Sequence, residues 1–165
     1  MKKKAILPIV LAVLVAGVLL YHIVPRSFSQ IMKESVDTDP AGVEVIDVLI
    51  IPLDHEPDAS SEREPGISYT LTKGDPAFQD LMDLLSSRRY APLLGRPEVQ
   101  YICIDGQVTL SFDGAACLTF SGDRELRLYS SKHERYIRTG GNGEAFQQEI
   151  LDLLLDAAAR HEAAA

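Results

Sequence analysis

Turn signals at nearly regular intervals divide residues 99–138 into short segments in which apolar and polar residues alternate. The segments read VQYICI, QVTLSF, AACLTF, RELRLYS and RYIR, and the turn sequences between them are DG, DG, SGD and SKHE. Asp-Gly between alternating runs favours a β-hairpin, because a type I′ turn needs positive φ at both central residues. The spacing therefore predicts a meander of five antiparallel strands.

Two-residue turns at 105–106, 113–114, 122–123 and 132–133 give this meander a definite register. They imply four cross-strand pairs: Cys103 with Val108, Leu110 with Cys117, Cys117 with Leu128, and Leu128 with Ile137. One face of the sheet then gathers the apolar side chains and is predicted to be the core face: Val99, Tyr101, Cys103, Val108, Leu110, Phe112, Cys117, Leu126, Leu128 and Ile137. Four turns chosen separately lead to one apolar face, which supports the meander.

Two further strands and two helices complete the predicted fold. Strands are expected at 43–53 (VEVIDVLIIPL) and 67–72, and Asp75-Pro76 begins a helix whose apolar residues recur at helical spacing as far as 87–90. A last helix has an apolar stripe formed by Phe146, Ile150, Leu153, Leu154 and Ala157. The sequence thus predicts an α+β fold, with an antiparallel sheet of about seven strands and two helices packed on one face.

A single transmembrane helix is expected to precede this domain. Ala5–Val24 is a run of 20 residues without formal charge, and a helix of that length spans roughly 30 Å, the thickness of a bilayer's hydrocarbon core. Three lysines precede the run, so the positive-inside rule places the N-terminus in the cytoplasm and the domain outside. The predicted location is the cell membrane, with the lipid bilayer contacted through residues 5–24.

Two other interpretations of the apolar run stay open. A cleaved signal peptide would have a shorter apolar core and a cut near Ser27-Phe28-Ser29, and a buried helix of a soluble domain is the third possibility. With the anchor retained, the chain divides into residues 1–25 (cytoplasmic tip and anchor), 26–42 (a polar tether) and 43–160 (the extracytoplasmic domain).

The charge of the domain excludes one class of partner. The formal net charge is −8, but residues 1–26 carry four basic groups and no acid, so residues 27–165 have a net charge of −12. A surface this acidic repels phosphate backbones, and no nucleic-acid partner is expected.

The densest group of possible metal ligands lies in one loop and is weak evidence for a metal site. Asp54, His55, Glu56 and Asp58 are nearly consecutive, so their side chains diverge, whereas zinc sites need ligands at defined spacing. A solvated acidic loop explains them better, a weak calcium site is the alternative, and neither a metal nor another cofactor is predicted.

The two cysteines are predicted to be free thiols. The register places Cys103 and Cys117 on the first and third strands, at least roughly 9–10 Å apart, and a disulfide needs less than about 7 Å. The glycine-rich turn at 139–143 precedes a helix without forming a phosphate-binding motif. No recognisable catalytic motif occurs in the sequence, so no catalytic residue is predicted.

The second face of the meander is the predicted binding surface. It mixes apolar and polar residues, and such a face marks a partner site where it is exposed; the alternative is that a loop or the tether covers it. The expected contact residues are Ile102, Ile104, Leu118, Phe120, Arg127 and Tyr129.

Three stretches of the sequence resemble a group of small, uncharacterised, membrane-anchored extracytoplasmic proteins of Gram-positive bacteria. They are the MKKK start with its apolar run and IVPRSFSQI, the stretch YTLTKGDPAFQDLMDLLSSRRYAP, and the closing EAFQQEILDLLL. The resemblance implies an extracytoplasmic α+β domain and supplies no catalytic residue.

These observations favour a non-enzymatic binding or interaction module, anchored in the membrane and contacting an envelope protein. The alternatives are a small cell-envelope hydrolase or metal-dependent enzyme near the 54–64 loop, and an assembly subunit whose anchor helices associate.

Overall fold

In a computed structural model, which describes residues 3–52, 66–93, 106–120 and 125–164, the chain has an α+β fold. Seven antiparallel strands form one sheet in the order β2-β1-β4-β5-β6-β7-β3, and four helices accompany it. The elements are α1 (Lys3–Ile23), α2 (Phe28–Val36), β1 (Val45–Pro52), β2 (Ile67–Thr72), α3 (Pro76–Ser86), β3 (Tyr90–Pro92), β4 (Gly106–Phe112), β5 (Ala116–Phe120), β6 (Glu125–Ser130), β7 (Glu134–Thr139) and α4 (Gly143–Ala164). The predicted α+β class and the antiparallel sheet of seven strands are confirmed, and four of the five predicted meander strands are present as β4–β7, whereas three helices rather than two pack on the sheet.

The core lies between one face of the sheet and helices α2, α3 and α4. Alternate residues of each strand point to this face, and most of them are completely buried. Helix α4 runs across the sheet from one edge strand to the other. Its Phe146 contacts the Tyr90 ring of β3, and its Leu154 carbonyl oxygen accepts a hydrogen bond from the Tyr69 hydroxyl of β2 at 2.6 Å. The apolar stripe predicted for the last helix is therefore part of the core.

Helix α2 occupies the stretch that the sequence analysis interprets as a tether. Ser27 and Gln30 form a capping box at its N-terminus, where each side chain accepts a hydrogen bond from the other residue's backbone N–H. Its apolar face is buried against the sheet, in particular Phe28, Ile31 and Met32 at 0–1% exposure. Residues 26–42 thus differ from the predicted tether, because three large apolar side chains within one polar stretch are enough to bury a short helix.

The register of β5 differs by one residue from the prediction. The turn between β4 and β5 holds three residues rather than two, so Ser111 pairs with Cys117 and Leu110 pairs with Leu118. Asp113 (φ 48°) and Gly114 (φ 66°) both adopt the left-handed conformation, as Asp-Gly favours. Within this turn the Asp113 carboxylate accepts hydrogen bonds from the backbone N–H groups of Glu44 and Val45, at 3.2 and 2.8 Å, which ties the turn to the start of β1.

This shift reverses every side chain of β5, since successive residues of a strand point to opposite faces. Cys117 therefore leaves the core face, and Ala116, Leu118 and Phe120 take its place. The pairing of β5 with β6 is shifted by one residue as well, so Cys117 lies opposite Tyr129 rather than Leu128. The β6–β7 turn is displaced by one position, which pairs Ile137 with Leu126 and leaves both on the core face.

The far edge of the sheet contains a strand that the sequence analysis does not predict. Residues 90–92 form β3, which pairs with β7 beyond the end of the meander. The predicted first strand of the meander, at 99–104, lies outside the described residues, and β1 is the neighbour of β4 on that side.

The end of α1 is joined to this same edge. The Arg26 N–H donates to the Tyr90 carbonyl oxygen at 2.7 Å, and the Tyr90 N–H donates to the Arg26 carbonyl oxygen at 2.8 Å. The Arg26 guanidinium lies over the Tyr21 ring, 4.1 Å from its centroid, and pairs with the Glu34 carboxylate at 2.8 Å. A backbone bridge and a cation–π contact therefore connect α1 to the domain.

Across the described stretches of chain, no helix has the length and apolar character required to cross a membrane.

Candidate interaction surface

Among the described residues, the helices that pack on the sheet lie on its core face and leave the opposite face uncovered by a helix. We call this the open face and define it by the outward residues of β1, β2 and β4–β7. The cross-strand pairs arrange these residues in transverse rows. One row runs across Ser68, Leu49, Thr109, Thr119, Arg127 and Tyr136, and the next across Thr70, Asp47, Ser111, Cys117, Tyr129 and Glu134.

One side of the open face is apolar. Leu49 and Ile51 on β1 are each 38% exposed. Both side chains point away from the core because the buried residues of β1 are the alternating Ile46, Val48 and Ile50. Outside the segment 9–24, the described residues contain one other large apolar side chain that is exposed to this degree, Leu155 on α4.

The middle of the open face carries small hydroxyl groups and one thiol. The Oγ1 atoms of Thr109 and Thr119 are hydrogen-bonded across the strands at 3.2 Å. Cys117 is half-buried beside Ser111 and is a free cysteine, as predicted, although on the opposite face of the sheet from the one expected. Cys103 lies outside the described residues.

The other side of the open face is charged and aromatic. The Arg127 Nε atom donates to Glu134 Oε1 at 2.6 Å, and the Tyr136 hydroxyl donates to the same oxygen at 3.2 Å. The Arg127 guanidinium lies over the Tyr129 ring, 4.7 Å from its centroid. This network holds two aromatic rings and an ion pair at the surface, and tyrosine and arginine are the residue types enriched where proteins bind one another.

Two open clefts lie in the described part of the molecule. One cleft of about 220 Å³ lies where α3 begins beside α4 and is lined by Asp75, Pro76, Ala77, Ala157, Arg160 and His161. A groove of about 290 Å³ lies between α2 and α3. Both volumes are below the roughly 300–1,000 Å³ typical of small-molecule sites.

The ionisable groups beside the first cleft are shifted by structural hydrogen bonds and burial. The backbone N–H of Thr72 donates to the Asp75 carboxylate at 2.7 Å and, as the main cause, holds the pKa of that carboxyl below its usual value. Burial raises the pKa of Tyr69, whose hydroxyl donates to the backbone of α4. The Thr72 hydroxyl also donates to Asp75, at 3.1 Å, so these shifts accompany hydrogen bonds that join elements of the fold.

No group of three or more His, Cys, Asp or Glu residues suited to a metal ion occurs among the described residues. The loop ligands considered from the sequence (Asp54, His55, Glu56 and Asp58) lie outside those residues, so their role stays a prediction. Cys117 also has no histidine beside it among the described residues of its face.

The structure divides the predicted contact residues between the two faces of the sheet. Arg127 and Tyr129 lie on the open face as expected. Leu118 and Phe120 are buried in the core at 0% and 2% exposure, so their assignment to an exposed face is wrong, and the cause is the extra residue in the β4–β5 turn. Ile102 and Ile104 lie outside the described residues.

Sequence reasoning missed the contribution of β1 to this surface. The segment VEVIDVLIIPL contains so many apolar residues that it reads as a strand buried on both faces. The sequence does contain a sign of the outward face, the charged Asp47 in the middle of the strand. Because side chains alternate between faces with a period of two, Leu49 and Ile51 lie on the same face as Asp47.

No family model, no curated protein and no solved structure matches this chain. What the protein does is therefore inferred from the geometry of its own surface, and the likeness to membrane-anchored proteins of Gram-positive bacteria stays a prediction from sequence.

Proposed function

We propose that this protein is a non-enzymatic binding module, held in a membrane by α1 and contacting a partner protein through the open face. The observation that carries the proposal is the exposure of α1. Twelve of the fifteen large apolar side chains that are exposed in the described residues lie between Ile9 and Val24.

The apolar residues of this helix cover all of its sides. The aliphatic members of the set are between 48 and 66% exposed, and they include both consecutive triplets Ile9-Val10-Leu11 and Val13-Leu14-Val15. Three consecutive helical residues point in three directions, so the helix has no polar face to turn toward water. Exposed apolar areas of this size mark membrane or protein contacts in stable proteins.

The chemistry of the run and its flanks supports a bilayer rather than a protein as the surroundings of α1. In the sequence, the uncharged run of residues 5–24 is 20 residues long, a length typical of membrane helices, and three lysines precede it. Tyr21 and His22 stand at its far end, where rings with one polar edge are favoured at the headgroup level. The lysines favour an orientation with the domain outside the cytoplasm.

Membrane attachment is tested by flotation of the full chain with neutral phosphatidylcholine vesicles, followed by carbonate extraction. We expect the chain to float and to resist extraction, and Leu14→Arg/Val15→Arg to be extracted, because two charges at the bilayer centre cost several kcal/mol. Leu49→Arg, which adds a charge to an exposed leucine of the domain, is the control and floats. A wild-type chain that stays in the aqueous fraction as a monomer contradicts the proposal.

The open face is proposed as the partner surface because it combines exposed apolar side chains, tyrosines and an arginine on a flat sheet. We expect Leu49→Asp/Ile51→Asp to abolish capture of envelope proteins by the membrane-inserted full chain. Leu155→Asp is the matched control, since Leu155 is 39% exposed but lies on α4. Equal capture by the wild type and both variants would exclude the open face as the contact surface.

A further inference from the structure

We propose that the sheet edge beside α1 binds anionic lipid headgroups through Arg89, Arg135 and Arg138, which we call the arginine edge. This inference rests on the proposed attachment of α1 to a membrane and adds to it the charge of the lipid.

The bridge between Arg26 and Tyr90 places the end of α1 against β3. One turn earlier, the His22 Nδ1 atom lies 3.1 Å from the carbonyl oxygen of Pro92, which is the last residue of β3. Ile23, Val24 and Pro25 separate these two attachments, so the connection between helix and sheet is short. A bilayer around α1 therefore lies close to the β3 edge of the domain.

The three arginines lie at the start of β3 or on β7, the strand that pairs with β3. Arg89 immediately precedes β3, and Arg138 pairs directly with Ala91, the middle residue of β3. Arg135 lies on the same strand, which is one spacing, about 4.8 Å, from β3, but three residues from Arg138, so the two side chains reach this edge from opposite faces of the sheet. All three side chains are exposed.

These arginines have no acidic partner among the residues that the structure describes, in contrast to most other cations of the domain. Ion pairs join Arg26 to Glu34, Lys33 to Asp39, Lys73 to Glu44, Arg88 to Glu149 and Arg127 to Glu134. Two more exposed cations lack such a partner, and of these Arg160 lies on α4, away from the attachment of α1. Three arginines without an ion pair among the described residues thus lie at the edge that the proposed anchor joins, although Glu125 is the cross-strand neighbour of Arg138.

Anionic headgroups complement this arrangement in charge and in position. An arginine close to an anionic membrane surface gains about 1 kcal/mol, which corresponds to about a fivefold change in an equilibrium constant. The attraction falls off within a Debye length of about 10 Å at 0.1 M salt, so it acts on groups beside the anchor and not on the distal end of the domain.

The test is chemical modification of arginine in the full chain, assembled in nanodiscs of phosphatidylcholine or of phosphatidylcholine with 30% phosphatidylglycerol. Peptide mass spectrometry gives the reaction rate of phenylglyoxal with each arginine. We expect the anionic lipid to slow the modification of Arg89, Arg135 and Arg138 about fivefold at 0.1 M salt, and 1 M salt to restore it. Arg160 is the internal control and changes less than twofold.

Three results would overturn the inference: equal rates in the two nanodiscs, equal slowing of Arg160, or the same slowing by inorganic phosphate in neutral nanodiscs. A chain that does not assemble even into neutral nanodiscs contradicts the membrane attachment itself. Assembly without selective protection contradicts only the arginine edge.

Discussion

Replacing Phe28 by alanine tests whether residues 26–42 belong to the domain or merely connect it to α1. The Phe28 ring is 1% exposed, and its centroid lies 5.7 Å from that of Tyr90 and 6.0 Å from that of Phe112. Removing a ring so enclosed costs the transfer free energy of its carbons and leaves a cavity, about 3–5 kcal/mol in all. In a flexible tether the same change would cost less than about 0.5 kcal/mol.

The assay is guanidinium unfolding of the full chain in a neutral detergent, followed by tyrosine fluorescence. We expect the free energy of unfolding to fall by about 3–5 kcal/mol, a large part of the 5–15 kcal/mol typical of a domain. Ile31→Val is the milder variant, with an expected loss of about 1 kcal/mol if Phe28→Ala does not fold. Ser29→Ala, on the half-exposed side of the same helix, is the control and changes stability little. Wild-type stability in both core variants would refute the packing of α2.

Three further predictions test the register, a turn and a hydrogen bond. In Cys103→Ser, we expect Cys117 to react with a maleimide in the native state. In Cys103→Ser/Cys117→Ser/Leu118→Cys, we expect the thiol at position 118 to react only after unfolding; the reverse order would restore the register predicted from sequence. Gly114→Ala should destabilise the protein by about 1–2 kcal/mol, because φ is 66° there; Gly74→Ala is the control in open space, and equal melting temperatures would contradict a strained turn. Asp75→Asn should lower the unfolding midpoint at pH 7, where the low-pKa carboxylate is ionised in the folded state, and the difference should shrink below about pH 4 as the carboxyl is protonated; a difference independent of pH would exclude that contribution.

Local patterns were sufficient to predict most of the fold. Asp75-Pro76 begins α3, the apolar stripe of α4 is buried, and the Asp-Gly signal at 113–114 does mark a turn. These features depend on residues close together in sequence, where capping, helical spacing and turn conformation act directly.

The register and the contact surface depend on distant residues and were predicted less well. The third residue of the β4–β5 turn is accommodated because Asp113 binds the start of β1, almost 70 positions earlier in the chain. One residue of turn length then decides whether Leu118 is core or surface. Likewise, α2 is buried against β3, β6 and β7, which are distant in sequence, and a helix this short depends on such packing for its stability.

Helix α2 is made early in translation, and the strands it packs on are made late. On the order of 100 residues separate its end from the end of β7, and at roughly 5–20 residues per second their synthesis takes several seconds. During that interval the sheet surface that Phe28, Ile31 and Met32 pack on is incomplete, because β6 and β7 are still missing, while the local hairpins of β4–β7 form within microseconds once they are made. Helix α2 therefore completes its packing only after β7 has been made, and a chain that ends before β7 would lack part of the surface on which α2 packs.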